Sequence, residues 1–254
     1  MRVSTLLSGL SITGLVTATD LLLPLYIYPS AGPIQPVYDA VTSNPNATFY
    51  VIVDPDSGPG GSQYPNSDYI TALAKLNTYS NVQTIGYVHT SYMAQTTDAI
   101  AANVSRYAGW SNYSDSNIAV KGIFFDEATN TQNSAAYAYM STIASNARDQ
   151  GLDFVIFNPG TVVTAPEFFE AADLIVVEEV AYSTYQAGTI QSVPEQYRNQ
   201  SAIILHDTPS GTNLTSVVSG MESDTLGAFY ATADCCYQSV TILGSVASAL
   251  AASN

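Results

Sequence analysis

The chain has 254 residues, 46% of them hydrophobic and only 11% charged. That is enough apolar material for one large domain or two small ones, and it excludes a disordered chain. With 21 Asp and Glu against 6 Lys and Arg, for a net charge of −15, the surface repels phosphate, which excludes nucleic acid and anionic membranes as partners.

In chain order, residues 1–18 read as a secretory leader. Arg2 supplies the positive start, residues 6–16 are apolar, and Val16-Thr17-Ala18 offers small residues for cleavage after Ala18. The remainder, 19–254, is then expected outside the cell or in the cell wall. Asn-X-Ser/Thr sequons at Asn46, Asn103, Asn112, Asn199 and Asn213 fit export. No later stretch reaches the about 20 apolar residues of a membrane span. The last apolar run, 240–252, reads as a final helix of the domain.

Eight short apolar runs rich in β-branched or aromatic residues follow the leader: 24–28, 48–53, 84–89, 120–126, 153–158, 174–179, 202–207 and 227–232. Each has the length and composition of a strand, and the near-continuous hydrophobicity is that of parallel strands covered on both faces. Helical patterns separate them over 67–77, 96–110, 134–150, 165–172, 194–199, 216–223 and 237–252. Strand alternating with helix in one domain of this size predicts an α/β fold, a single (β/α)8 TIM barrel over 19–254. A doubly wound open sheet is the weaker fit, because no Gly-rich phosphate loop follows the first strand. The two cysteines, Cys235 and Cys236, are adjacent. They can close a small ring, stay as thiols or bond another chain, but they cannot staple distant segments, and no metal-ligand spacing surrounds them.

In such a barrel the chemistry gathers at the C-terminal ends of the strands. Those ends supply Tyr26 and Tyr28, Asp54, Tyr87 and His89 with Tyr92 beyond, Asp126 and Glu127, Asn158, Glu178 and Glu179, His206 and Asp207, and Tyr230. No Lys or Arg is among them. Rings stack on the apolar faces of pyranoses, while carboxylates and amides bind hydroxyls, so this mixture suits a sugar. Cleaving a glycosidic bond needs one acid to protonate the leaving oxygen and a second carboxylate to support the cationic centre or activate water. Asp126, Glu127 and Glu179 are the catalytic candidates. Tyr26, Asp54, Tyr87, His89, Tyr92, Asn158, His206 and Tyr230 are the substrate-binding candidates. No metal and no cofactor are expected. Glu178 is expected to be structural, since an acid at a strand end often caps the next helix.

Several motifs, in order, carry a family resemblance: P-L-Y-I-Y-P (24–29), I-V-D-P-D-S-G-P-G (52–60), G-Y-V-H-T-S-Y (86–92), G-I-F-F-D-E (122–127), F-N-P-G (157–160) and D-L-I-V-V-E-E (173–179). Together they span most of the mature chain, which resembles the spherulin-4-like proteins, including glycoside hydrolase family 135. The resemblance implies a (β/α)8 barrel and endo-acting cleavage of α-1,4-linked N-acetylgalactosamine polymers of fungal cell walls and biofilms. It places the family's acidic cluster on Asp126, Glu127 and Glu179. The chain departs from the family at Asp54, usually Asn; at Glu178, usually aromatic; and at Asp234-Cys235-Cys236-Tyr237, where an Asn-Pro-Tyr-like turn is usual. Glu127 is therefore expected as general acid, Asp126 as the residue orienting a 2-acetamido group, and Glu179 as the second carboxylate. The expected partner is a galactosamine-containing polysaccharide, and a monomer is expected. The alternative is a cell-wall protein that binds glycan without cutting it.

Overall fold

The computed structural model describes residues 18–253. The leader expected over 1–18 lies outside them, apart from Ala18. Eight parallel strands close into one barrel in sequence order: β1 (Asp20–Leu25), β2 (Phe49–Val53), β3 (Val82–His89), β4 (Gly122–Asp126), β5 (Phe154–Phe157), β6 (Leu174–Ala181), β7 (Ser201–His206) and β8 (Ala228–Ala231). β8 returns to pair with β1, Asp20 opposite Ala228. The outer layer holds α1 (Gln35–Ser43), α2 (Ser67–Leu76), α3 (Thr97–Gly109), α4 (Ser134–Asp149), α5 (Pro166–Ala171), α6 (Leu214–Ser223) and α7 (Leu243–Ser253). The expected (β/α)8 barrel is the fold. Among the described residues, no helix is long and apolar enough to cross a membrane.

Burial on both faces selects the strands: Leu21, Leu22, Leu23, Val51, Ile52 and Phe125 are all fully buried. β4 begins with glycine for a steric reason. A Cβ on Gly122 would sit 1.9 Å from the Phe154 carbonyl oxygen, so no side chain fits between β4 and β5 there. Asn66, Thr96, Asn133 and Asn213 cap α2, α3, α4 and α6 by accepting backbone N–H groups. Of the sequon asparagines, Asn103 is half-buried and the other four are exposed.

Four differences from the sequence reading bear on the architecture. β1 starts at Asp20 rather than at Pro24, and residues 26–28 leave the ladder. Its Leu21-Leu22-Leu23 segment lacks the β-branched and aromatic residues that mark the other strands, but burial on both faces makes it a strand. α1 was not expected in the short, mixed sequence QPVYDAVTS; Val37, Ala40 and Val41 form one buried stripe. The helix expected from residue 237 begins only at Leu243. Tyr237 instead has a left-handed backbone, φ 57°, in the turn after β8. Residues 194–199, expected as a helix, form a 3₁₀ segment, Glu195–Gln200.

Candidate active site

The mouth of the barrel is built around one amide. Asn158, just beyond β5, donates from the same Nδ2 to Asp126 Oδ1 at 2.8 Å and to Glu179 Oε2 at 2.7 Å. Its Oδ1 accepts the Gly160 N–H at 3.0 Å, which fixes the amide's orientation. Asp126 also accepts the Tyr87 hydroxyl at 2.7 Å, and Glu179 accepts the Tyr237 hydroxyl through Oε1. Each carboxylate is thus held by one amide and one phenol. The three rings Tyr87, Tyr26 and Tyr237 form an edge-to-face row joining the two acids. Their centroids are 5.7 Å apart for Tyr26–Tyr87 and 5.6 Å for Tyr26–Tyr237.

Glu127 follows Asp126 in the left-handed region, φ 49°. That curl is secured by two bonds to the Glu127 carbonyl, from the Tyr92 N–H and the Thr90 hydroxyl, each at 2.7 Å. In a continuing strand, neighbouring side chains face opposite ways. Here the curl turns both acids into one cavity of about 460 Å³, which Asn158, Glu179, Tyr92, His206, Cys235 and Tyr237 also line. Glu127 makes no side-chain hydrogen bond among the described residues, in contrast to the two held acids.

Burial raises the proton affinity of Asp126, opposed by the Tyr87 hydroxyl and the Glu127 backbone N–H, while the Glu179 charge adds to it. Burial likewise drives the Tyr87 and Tyr237 phenols far above their ordinary range, reinforced by the charges of Asp126 and Glu179 respectively. Both phenols therefore stay protonated as fixed donors. A larger cavity of about 710 Å³ between α1 and α7 holds one carboxylate, Asp39, among small residues such as Ser245 and Ser248, so it lacks the paired acids. Among the described residues, no group of three or more His, Cys, Asp or Glu is placed to hold a metal ion.

The profile of the spherulation-specific family 4 matches residues 20–248. The chain belongs to that family. Spherulin-4 of Physarum polycephalum is 31% identical, the match covering 94% of this chain and 74% of that protein. The crystal structure of Aspergillus clavatus Sph3 in complex with GalNAc superimposes with a TM-score of 0.86 at 28% identity, covering 92% of this chain and 98% of that one. The homocysteine methyltransferase MmuM of Escherichia coli, at 8% identity and TM-score 0.51, shares the barrel alone.

Within this family member the anticipated residues divide into four groups. Asp126, Glu127, Glu179, Asn158, Tyr92 and His206 share the cavity. Tyr26 and Tyr87 stand beside it as the ring row. Two side chains are turned elsewhere. His89 has its ring nitrogens against Ser91 Oγ (3.0 Å) and Gln95 Nε2 (3.2 Å), and Asp54 accepts the Gly58 N–H at 2.6 Å and so ties its own loop. Tyr230 is corrected as a contact residue: it is 1% exposed, sealed among the barrel strands, and no substrate can touch it. Glu178 is structural, as expected. A bulge in the β6–β7 pairing between Val176 and Glu178 resets the alternation. Glu178 is then 7% exposed and accepts the Thr189 hydroxyl at 3.0 Å, while Glu179 reaches the mouth.

Tyr237 and Cys235 were missed as site residues, because the apolar tail from 237 onward reads as helix. The signal lay in the turn itself: Asp234-Cys235-Cys236-Tyr237 follows the last strand and departs from the family's usual turn, and the residue just past the cysteine pair is an aromatic at the barrel mouth. Of the three states left open for the cysteines, the structure shows the small ring, a Cys235–Cys236 disulfide.

Burial lifts the Asp54 carboxyl to about 6, opposed by the Gly58 N–H and helped by the charge of Asp126. A carboxyl raised in the folded state contributes stability that is complete below its unfolded value, about 4, and is lost as pH rises through about 6. Asp54→Asn keeps an oxygen for the Gly58 N–H and removes the buried charge. The variant is expected to unfold at about 3–6 °C above the parent at pH 7.5, with no difference near pH 4. Thermal melts at the two pH values check this; equal melting temperatures at pH 7.5 would count against a buried charge at 54.

Proposed function

We propose that this chain is a secreted glycoside hydrolase that cleaves α-1,4-linked galactosamine-containing polysaccharide by carboxylate acid–base chemistry. The observation that carries the reading is the mouth geometry: two carboxylates from different strands held on one amide, beside a third whose side chain is free. The bond lengths to Asn158 Nδ2, 2.8 and 2.7 Å, keep the facing oxygens of Asp126 and Glu179 within about 5.5 Å. That is closer than the about 6.5–9.5 Å at which an inverting acid and base admit a water between them. A separation of at most about 5.5 Å matches the retaining spacing of about 5–5.5 Å, and in this reading the held pair serves the anomeric centre while Glu127, whose side chain is not held, is the separate proton donor. Asp126, kept in place by Tyr87 and Asn158, orients the sugar's 2-acetamido group, and Glu179 supports the developing positive charge at the anomeric carbon. The fold-level likeness to Sph3, crystallised with GalNAc, supports an N-acetylated aminosugar as the bound unit.

Product release from a partly acetylated α-1,4-galactosamine polymer tests the reading, wild type beside Asp126→Asn. Oligosaccharides from wild type alone support it. Polymer binding without any product would replace it with a glycan-binding protein.

Electrostatics adds a second expectation. The cavity has three carboxylates and no Lys or Arg in its lining, in a chain of net charge −15. A partly deacetylated polymer is cationic, so its binding is expected to weaken several-fold between about 20 mM and about 500 mM salt, while a fully acetylated polymer changes little. Titrations of both polymers at the two salt levels check this; salt-independent binding of the cationic polymer would contradict it.

A further inference from the structure

The turn after β8 is a stretch without helix or strand, running from Thr232 to the start of α7, yet it supplies one of the two phenols that fix the catalytic acids. Few bonds hold it. The Thr232 hydroxyl bonds Asp234 Oδ1 and the Ser239 carbonyl, each at 3.2 Å, and the Asp207 N–H reaches the Asp234 carbonyl at 3.4 Å. Between those points lie Cys235 and Cys236, bonded to each other, then Tyr237 with its left-handed backbone. A non-glycine residue in that conformation needs surroundings that over-determine it. A ring closed between adjacent cysteines removes backbone freedom immediately before the residue that requires it. Cys235 also lines the same cavity as Glu127 and Glu179.

We infer that the Cys235–Cys236 disulfide is a positioning element for catalysis: it closes the turn that presents Tyr237, and through the Tyr237 hydroxyl it fixes Glu179. The inference rests on the hydrolase reading for its effect on turnover, and on geometry alone for its effect on Tyr237. It makes full activity depend on oxidation of the pair, which suits an exported protein, since oxidising compartments preserve disulfides.

The chain contains no other cysteine, so a reductant acts on this bond alone. A water-soluble phosphine breaks it cleanly. The S–S bond takes up two electrons and two protons to give two thiols, and the phosphine becomes its oxide with oxygen from water. On reduction of the folded protein, kcat is expected to fall about tenfold with KM changed less than about threefold, and reoxidation restores it. A Cys235→Ser, Cys236→Ser double variant is expected to match the reduced protein and to ignore the phosphine. Tyr237→Phe causes a similar loss, and adding it to the double cysteine variant brings little more, because both act through one contact.

A readout independent of turnover accompanies these. In protein carrying 3-fluorotyrosine, the ¹⁹F resonance of Tyr237, assigned by its absence in Tyr237→Phe, is expected to shift on reduction. Unchanged kcat with two free thiols per chain overturns the inference, and so does an unmoved Tyr237 resonance. If the oxidised wild type releases no product, the hydrolase reading falls, and the resonance alone then decides whether the disulfide positions Tyr237.

Discussion

Glu127→Gln is expected to lower kcat on the polymer by about 10²–10⁴-fold, the usual contribution of a positioned general acid. The substitution is nearly isosteric. The left-handed backbone at 127 and the two bonds that hold its carbonyl do not involve the side chain, so the curl at the end of β4 persists. Among the described residues the side chain makes no hydrogen bond that the change could break, and KM is expected to stay within a few-fold. What disappears is the proton. The loss is therefore expected to shrink on an aryl glycoside whose leaving group departs without protonation, a comparison that separates an acid from a residue that merely binds. Near-normal polymer hydrolysis by Glu127→Gln would move the acid role to another residue. An equal loss on both substrates would make Glu127 a binding or nucleophilic group instead.

The place of these acids at the mouth was open to the sequence because it needed only residue order; the choice of Glu179 over Glu178 and the role of Glu127 came from the family resemblance. Eight apolar runs between helical patterns imply the barrel, and the barrel implies that whatever ends a strand faces the mouth. Asp126, Glu127, Asn158 and Glu179 follow from that rule. The rule does not say which way a terminal side chain turns. His89 ends β3 as Asp126 ends β4, but Ser91 and Gln95 engage its ring. Tyr230 is one residue from the end of β8 and is buried. Glu178 and Glu179 are interchangeable by composition; a bulge two residues earlier, which no propensity reports, decides which one enters the mouth. Tyr237 was hidden by the opposite error. Its neighbours are helix-compatible, and a set of contacts keeps the chain in a turn: its hydroxyl on Glu179, its ring against Tyr26, the bonded cysteines before it and the Thr232 hydroxyl on the Ser239 carbonyl. Local pattern thus carried the scaffold, while the last residue or two at each strand end depended on long-range partners.

The amide that couples the acids makes the strongest test of the arrangement. Asn158 is 7% exposed, and both donor hydrogens of its Nδ2 are committed, one to each carboxylate. Asn158→Asp keeps the shape and the acceptor for Gly160 but replaces the shared donor with a third acid. Three carboxylates then face one another with only the phenols of Tyr87 and Tyr237 to offset them. The loss of preorganised donors is expected to lower kcat by about 10²–10³-fold. Leaving buried charges without their partner is expected to cost about 3–5 kcal/mol at pH 7.5, which corresponds to a melting temperature lower by about 10 °C in a domain of this size. The sign of the pH dependence follows from proton uptake. The crowded folded cluster binds protons that the unfolded chain has already released, so the deficit shrinks as pH falls toward 4.5. Asn158→Ala removes the donor without adding charge. It is expected to share much of the kinetic loss but to show a smaller, nearly pH-independent loss of stability. Melting curves of both variants at pH 4.5 and 7.5, with kcat at the higher pH, separate the two effects. If Asn158→Asp melts and turns over like the parent at pH 7.5, the two acids do not depend on this amide, and the mouth is not the coupled unit that its geometry describes.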